Sequence, residues 1–254
     1  MDEIKNYFEA IKQQCVAECD QKPLEKLAHE VFTRKEVTDL FLRQEREDEA
    51  YSFIVSLMSK YLDSSKKGII YIPGSGVGGL SRRISSLFPK HHILQVDSSP
   101  AMNVTNRNHS FEYKNHQILQ ADVLDFPLKD GSLSAIIAYS IMRYVPSNER
   151  VRLINLWSSF LISTGVTIIG EGDVGEVVKP LNLVEYRREE HFEREANLFR
   201  CSLFYSLFRR YDNDEQFRII VDKFSVQRNV SFVEVLSEIT GLANTKVYAK
   251  VLQK

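Results

Sequence analysis

With 254 residues, 43% hydrophobic and 26% charged, the chain has the make-up of an ordinary folded protein, long enough for one large domain with additions. Its 33 basic and 34 acidic side chains leave a net charge of -1, so no whole-molecule attraction to nucleic acid or to an anionic membrane is expected, and a small-molecule partner is favoured. The three cysteines, Cys15, Cys19 and Cys201, cannot all pair, and no Cys/His spacing matches a structural zinc site.

Reduced, cytoplasmic residence is the corresponding expectation. No run of eighteen apolar residues predicts a membrane span, and the acidic, amphipathic start "MDEIKNYFEAIKQQC" is unlike a signal or transit peptide. Residues 1–65 read as helices that form an N-terminal lid or cap. Tyr7, Phe8, Ile11, Cys15 and Cys19 make one apolar stripe, and Leu24, Leu27, Ala28, Val31 and Phe32 continue the pattern after Pro23.

From Gly68 short apolar runs alternate with helical stretches. "GIIYIP" (68–73) reads as a first strand and "GGLSRRISSLF" (78–88) as a helix. "HILQVD" (92–97), "HQILQAD" (116–122) and "LSAIIAYS" (133–140) follow as strands two to four. A helix is expected over 147–163, capped by Ser147 and stopped by Gly165, before a fifth strand "VTIIGEGD" (166–173). This alternation predicts a doubly wound, mostly parallel sheet within a domain over 66–254. A helical, aromatic-rich insertion covers about 173–225, and "NVSFVEVLS" and "TKVYAKVLQK" read as two closing strands.

Between the first strand and its helix stands "PGSGVGG". A ligand of an open α/β sheet lies beyond the carboxyl ends of the strands, where glycines let backbone approach it and a helix N-terminus offers amide donors. Gly74, Gly76 and Gly79 satisfy the dinucleotide spacing G-x-G-x-x-G, while Gly74, Gly76 and Gly78 satisfy G-x-G-x-G, so the glycines alone leave the ligand open. Asp97, ending strand two, could accept from both hydroxyls of a ribose in either case.

The stretch "LQADVLDFPLKDGSLSAIIAYSIMRYV" adds an Asp at the end of strand three, an Asp-x-x-x-x-Pro loop and an aromatic turn after strand four. In this order the motifs resemble those of the Rossmann-like (class I) S-adenosylmethionine-dependent methyltransferases, over about Gly68 to Gly172. The resemblance implies a seven-stranded sheet of order 3-2-1-4-5-7-6, strand seven antiparallel, and S-adenosyl-L-methionine as cofactor. It places Pro73, Gly74, Ser75, Gly76 and Gly78 in the cofactor turn, Gly74, Ser75 and Gly76 lying against the methionine part. Asp97 would hold the ribose, Ser98 or Met102 would border the adenine, and Asp122 would accept from its amino group with Val123 beside the ring. Tyr139 and Ser140 would lie near the methyl-donor end.

One position departs from the family's commonest pattern: Ile72 stands where Asp or Glu usually helps to position the methionine ammonium. The "IPGSGVGGL" form looks like a variant found in some branches, including carnosine N-methyltransferase-like enzymes. The implied activity is methyl transfer to a small-molecule acceptor, with Tyr139, Tyr144, Glu171 and His191 as candidate catalytic groups. A homodimer is compatible with the sequence. Two other readings stand beside it, a non-catalytic scaffold of the same fold and a nicotinamide-dependent oxidoreductase.

Overall fold

Four short apolar runs and one longer one lie side by side as the parallel part of a twisted sheet. In the computed structural model these are β1 (Gly68–Pro73), β2 (His91–Asp97), β3 (His116–Gln120), β4 (Leu133–Tyr139) and β5 (Leu161–Gly172). The structure describes residues 8, 10, 31–45, 49–146, 149–172, 207–208, 210–228, 230, 232, 235–236 and 247–253. A sixth strand, β6 (Val247–Gln253), pairs antiparallel with β5, and the order is β3-β2-β1-β4-β5-β6. The other neighbouring strands pair in parallel. Six strands are therefore described rather than the seven expected.

The helices are α1 (Lys35–Glu45), α2 (Glu49–Tyr61), α3 (Gly79–Leu87), α4 (Pro100–Ser110), α5 (Arg150–Phe160) and α6 (Glu215–Arg228). The central strands are apolar on both faces, as strands sandwiched between layers must be. On one face Ile70 and Ile72 of β1 meet Ile54, Leu57 and Met58 of α2 and Leu80 and Ile84 of α3. On the other, Tyr71, Ile136 and Ala138 meet Leu153, Ile154, Trp157 and Phe160 of α5 and Val123 of the β3–β4 connection. Trp157 is 1% exposed, and burial on this scale contributes about 25 cal/mol for each Å² of apolar surface.

The junction of α5 and β5 differs from that expected. The α5 helix ends at Phe160, not at Ser163, because Leu161 already pairs with Leu133 of β4. A register shift then accommodates 162–165, where Ile162, Ser163 and Thr164 are exposed, and regular pairing resumes at Val166 with Ala135. Ser147, the expected cap, lies outside the described residues. Instead the buried Arg150 donates through Nε to Val145 O at 2.8 Å, occupying a carbonyl just before the helix.

The second correction concerns "NVSFVEVLS". Its described residues Phe232, Val235 and Leu236 are helical, not extended. Phe232 stands three residues before Val235 and four before Leu236, and Val235 and Leu236 are fully buried. The last apolar run, by contrast, is the strand β6.

The chain divides into two compact units, residues 41–188 with 246–254, and residues 1–40 with 189–245. The first holds the sheet and α2. The second is helical where described: Phe8 meets Phe217 and Phe224 edge-on, Tyr211 stacks on Phe232 at 4.1 Å, and Arg34 pairs with Asp212. The aromatics Phe208 and Tyr211 of the expected insertion pack here. Cys15, Cys19, Cys201, Tyr186, Phe192, Phe199, Phe204 and Tyr205 lie outside the described residues. No helix among the described residues is long and apolar enough to cross a membrane.

Candidate functional site

At the carboxyl edge of the sheet, β1 breaks at Pro73 into a turn whose glycines all have positive φ, +62° at Gly74, +55° at Gly76 and +84° at Gly78. Two of them need glycine for different reasons. A Cβ at Gly78 would lie 2.0 Å from Asn106 Oδ1, so a side chain is excluded by contact. A Cβ at Gly76 would meet nothing within 4 Å, so there the backbone is laid bare toward open space. The turn is tied to its neighbours by Ser75 N donating to Val96 O at 3.2 Å and Gly78 N to Ser75 O at 3.1 Å.

Asp97 ends β2 directly beside this turn. Its Oδ2 accepts from Gly76 N at 2.9 Å and its Oδ1 from Ser99 N at 2.8 Å. Burial pushes its carboxyl above the ordinary carboxylate value, and the two backbone amides act in the opposite sense. A carboxylate offers about four acceptor directions, so two amide bonds leave capacity for the hydroxyls of a ribose. Ala121 N donates to Asp97 O at 3.2 Å, which brings the end of β3 alongside. The Asp122 carboxylate there is exposed and accepts from Leu124 N at 2.9 Å.

The remaining expected contacts fall around these two carboxylates. Ser98 is exposed beside Asp97, whereas Met102 is buried on α4 and Val123 is buried in the core of the α5 face. Ser99 caps α4, its Oγ accepting from Met102 N at 3.3 Å, with Pro100 at the first helical position.

Strand β4 ends on the opposite side of the glycine turn. Ser140 has φ +54°, an uncommon conformation for a residue with a side chain, and its N–H donates to Gly170 O at 2.7 Å. Ile141 packs where a Cβ on Gly74 would be, 2.6 Å from its Cδ1, so the two strand ends touch. Tyr139 is half-buried and meets the ring of Tyr51 edge-on at 5.4 Å. Over that same Tyr51 ring lies the Arg83 guanidinium, 5.3 Å from its centre. Tyr51 comes from α2 and was not singled out in the sequence, where it reads as one more apolar position of a helix.

Thus the structure gathers Pro73 to Gly78, Asp97, Asp122, Tyr139 and Ser140 at one edge. Of the candidate catalytic groups, Tyr144 ends a 3-10 turn after β4 and is half-buried. Glu171 belongs to β5, its side chain outside the described residues, and His191 also lies outside them. Ile72 is 2% exposed within the aliphatic core, so an apolar side chain fills the place of the usual carboxylate.

The residues present fit an adenosyl cofactor. Beyond the bare backbone at Gly76 and the acceptor capacity of Asp97, Ser75 Oγ is buried with no hydrogen-bond partner among the described residues. Such a group costs stability unless something completes it.

The family described as "Methyltransferase domain" matches residues 70–165, a stretch that runs from β1 into β5 and contains the whole gathered edge. No curated protein matches the sequence. Among solved structures, a protein of Methanococcus maripaludis assigned to the S-adenosyl-L-methionine-dependent methyltransferases is 18% identical, over 76% of this chain and 84% of its own, at a TM-score of 0.48. Phosphoethanolamine N-methyltransferase 2 of Haemonchus contortus is 14% identical over 80% of this chain and 53% of its own, at 0.49. A TehB-like methyltransferase of Corynebacterium glutamicum is 15% identical over 57% and 78%, at 0.45. The assignment rests on the family match and on the parallel strand order β3-β2-β1-β4-β5. Over residues 70–165 the chain is similar to the family of methyltransferase domains.

Proposed function

We propose that this enzyme transfers a methyl group to a small-molecule acceptor held at the β4 end of the glycine turn, in the cytoplasm. The observation that carries the reading is the convergence of Gly76, Asp97 and Tyr139–Ser140 on one sheet edge, within the matched domain. When bound, S-adenosylmethionine supplies a sulfonium-activated methyl group, so the protein need not generate an electrophile.

The chain's own residues then have three tasks. Asp97, kept in place by Gly76 N and Ser99 N, accepts from the ribose hydroxyls, and Asp122 from the adenine amino group. The bare backbone of Gly74 to Gly76 carries the methionine end, without a carboxylate at Ile72. Tyr139 and Tyr51 present aromatic surface that excludes water and tolerates a cation, which favours in-line approach of the acceptor. A net charge of -1 supports a small acceptor over RNA.

Calorimetric titration with S-adenosylmethionine and S-adenosylhomocysteine, with NAD(H) as control, tests the cofactor half. Micromolar affinity for the two sulfur nucleosides is expected, and binding of NAD(H) alone would reverse the assignment. Single-turnover incubation with panels of amines, phenols, thiols, proteins and RNA tests the other half. Methylation of protein or RNA alone would overturn the small-molecule acceptor.

A further inference from the structure

Behind the cofactor edge, the inward face of α4 is polar where a core-facing helix is ordinarily apolar. Asn103 and Asn106 are 0% exposed and Ser110 is 3% exposed, three and four residues apart on one stripe. Opposite them on β2 is Gln95, also 0% exposed.

These groups form one directed chain. Arg82 Nη1 donates to Val77 O at 2.8 Å, inside the glycine turn, and lies 3.3 Å from Ser110 Oγ, to which it also donates. Ser110 Oγ donates in turn to Asn106 Oδ1 at 2.9 Å, and Asn106 Nδ2 to Gln95 Oε1 at 2.7 Å. With its oxygen so engaged, Gln95 presents Nε2 to His116 Nδ1 at 3.0 Å, which makes His116 the acceptor there and a neutral ring. Burial, with Arg82 and His92 nearby, holds the His116 ring down to about 4, in keeping with that role. The Asn106 and Gln95 amides each donate once and accept once along this chain, so reversing either breaks two bonds.

The chain touches both halves of the cofactor cradle. Asn106 Oδ1 fills the place where Gly78 would carry a Cβ, which supports the left-handed turn from below. One helical turn earlier, Asn103 Nδ2 donates to Asp97 O at 2.8 Å and to Ser99 O at 2.9 Å, clasping the backbone on either side of the Asp97 carboxylate. The same helix face therefore holds the glycine turn and Asp97 at a fixed separation. An apolar face would fill the space equally well and would leave both free to shift.

We propose that Asn103, Asn106, Gln95 and Arg82 are positioning residues, a buried polar spine that presets the glycine turn and Asp97 for the cofactor and so governs its affinity. This rests on the assignment of that edge as the cofactor site. The spine acts through the backbone and need not touch the ligand. Pre-organisation of this kind saves ordering cost at the moment of binding.

The test compares Asn106→Leu, which keeps the branching and the number of side-chain heavy atoms, with Leu153→Ala, a core truncation beneath the opposite face. Asn106→Leu is expected to weaken S-adenosylmethionine and S-adenosylhomocysteine alike by about tenfold or more, as a shifted binding group would. Leu153→Ala is expected to lower the melting temperature with affinity kept. Should Asn106→Leu fail to fold, Arg82→Met and Arg82→Lys replace it, the lysine restoring a donor to Val77 O and most of the affinity. Hydrogen–deuterium exchange without any ligand supplies the independent arm: amides of 76–80 should exchange faster in Asn106→Leu or Arg82→Met and not in Leu153→Ala. Unchanged exchange there overturns the spine. Wild-type failure to bind either nucleoside, with faster exchange in the variants, would instead overturn the cofactor assignment and leave the spine as a support of the turn. Equal affinity loss in Leu153→Ala would make the effect one of stability alone.

Discussion

The two halves of the same sheet are built from different material. Around β4 and β5 the packing is mostly apolar: Ile136, Ile137, Ala138, Leu153, Trp157 and Ile169 are each at most 2% exposed. Over β2 and β3, in contrast, Gln95, Asn103, Asn106 and Ser110 are buried just as deeply and are joined by hydrogen bonds. Burying apolar area stabilises without fixing direction, whereas hydrogen bonds are directional and add little net stability once the water they replace is counted. The apolar half should therefore carry stability, and the polar half geometry.

The largest separation of the two is expected from Trp157→Ala. It should cost about 3–5 kcal/mol of folding stability, and leave cofactor affinity of the folded fraction unchanged. Denaturant unfolding with and without cofactor checks this, and a parallel loss of affinity would merge the two halves.

The converse is Asp97→Ala. Affinity for S-adenosylmethionine should fall by about a hundredfold, roughly 2.7 kcal/mol, with the melting temperature nearly kept. Little stability is at stake because burial already disfavours the carboxylate, and only backbone amides oppose it. Calorimetry would sink the site assignment if the affinity stayed put.

A smaller effect separates the halves by pH. His116 is held down to about 4 from 6.5 in the folded protein, so an unfolded chain takes up a proton that the folded one refuses. Stability should consequently fall as the pH drops from about 6.5 to about 4, and level off below. Because the ring is half exposed, we expect about 1 kcal/mol rather than the full linkage value. His116→Gln should flatten that part of the melting-temperature profile; an unaltered slope would assign it to other groups, such as His91, which burial also lowers.

The smallest is Ser140→Gly. Relief of the φ +54° backbone, less the entropy glycine adds to the unfolded chain, should stabilise by about 0.5–1 kcal/mol. A lower melting temperature would show that the Ser140 side chain contributes more than its backbone costs.

These differences also mark what a sequence can express. Strands β1, β4 and β5 were legible because their apolar runs have no amphipathic alternative, and β2 and β3 because they end in Asp97 and just before Asp122. Asp97 and the glycine turn were legible because chemistry, spacing and strand ends coincide. The spine was not, since Asn103, Asn106 and Gln95 are polar and a hydrophobic pattern assigns polar residues to water; only the partner across the core reveals them. Tyr51 was hidden differently, as one aromatic among many at helical spacing. The segment with Phe232, Val235 and Leu236 satisfied both periods at once, and burial of the three- and four-residue stripe decided for helix.

The pairing of β6 with β5 has a consequence for how the molecule is made. β5 is complete at Gly172, yet its partner is residues 247–253, so the ribosome must add 173–246 before the pair can form. Throughout that interval the nascent sheet offers a bare row of amides and carbonyls along β5, open to any other extended chain nearby. A chain stopped after residue 246 would keep that row permanently, and should be recovered with chaperones or as aggregate when expressed beside the full-length chain.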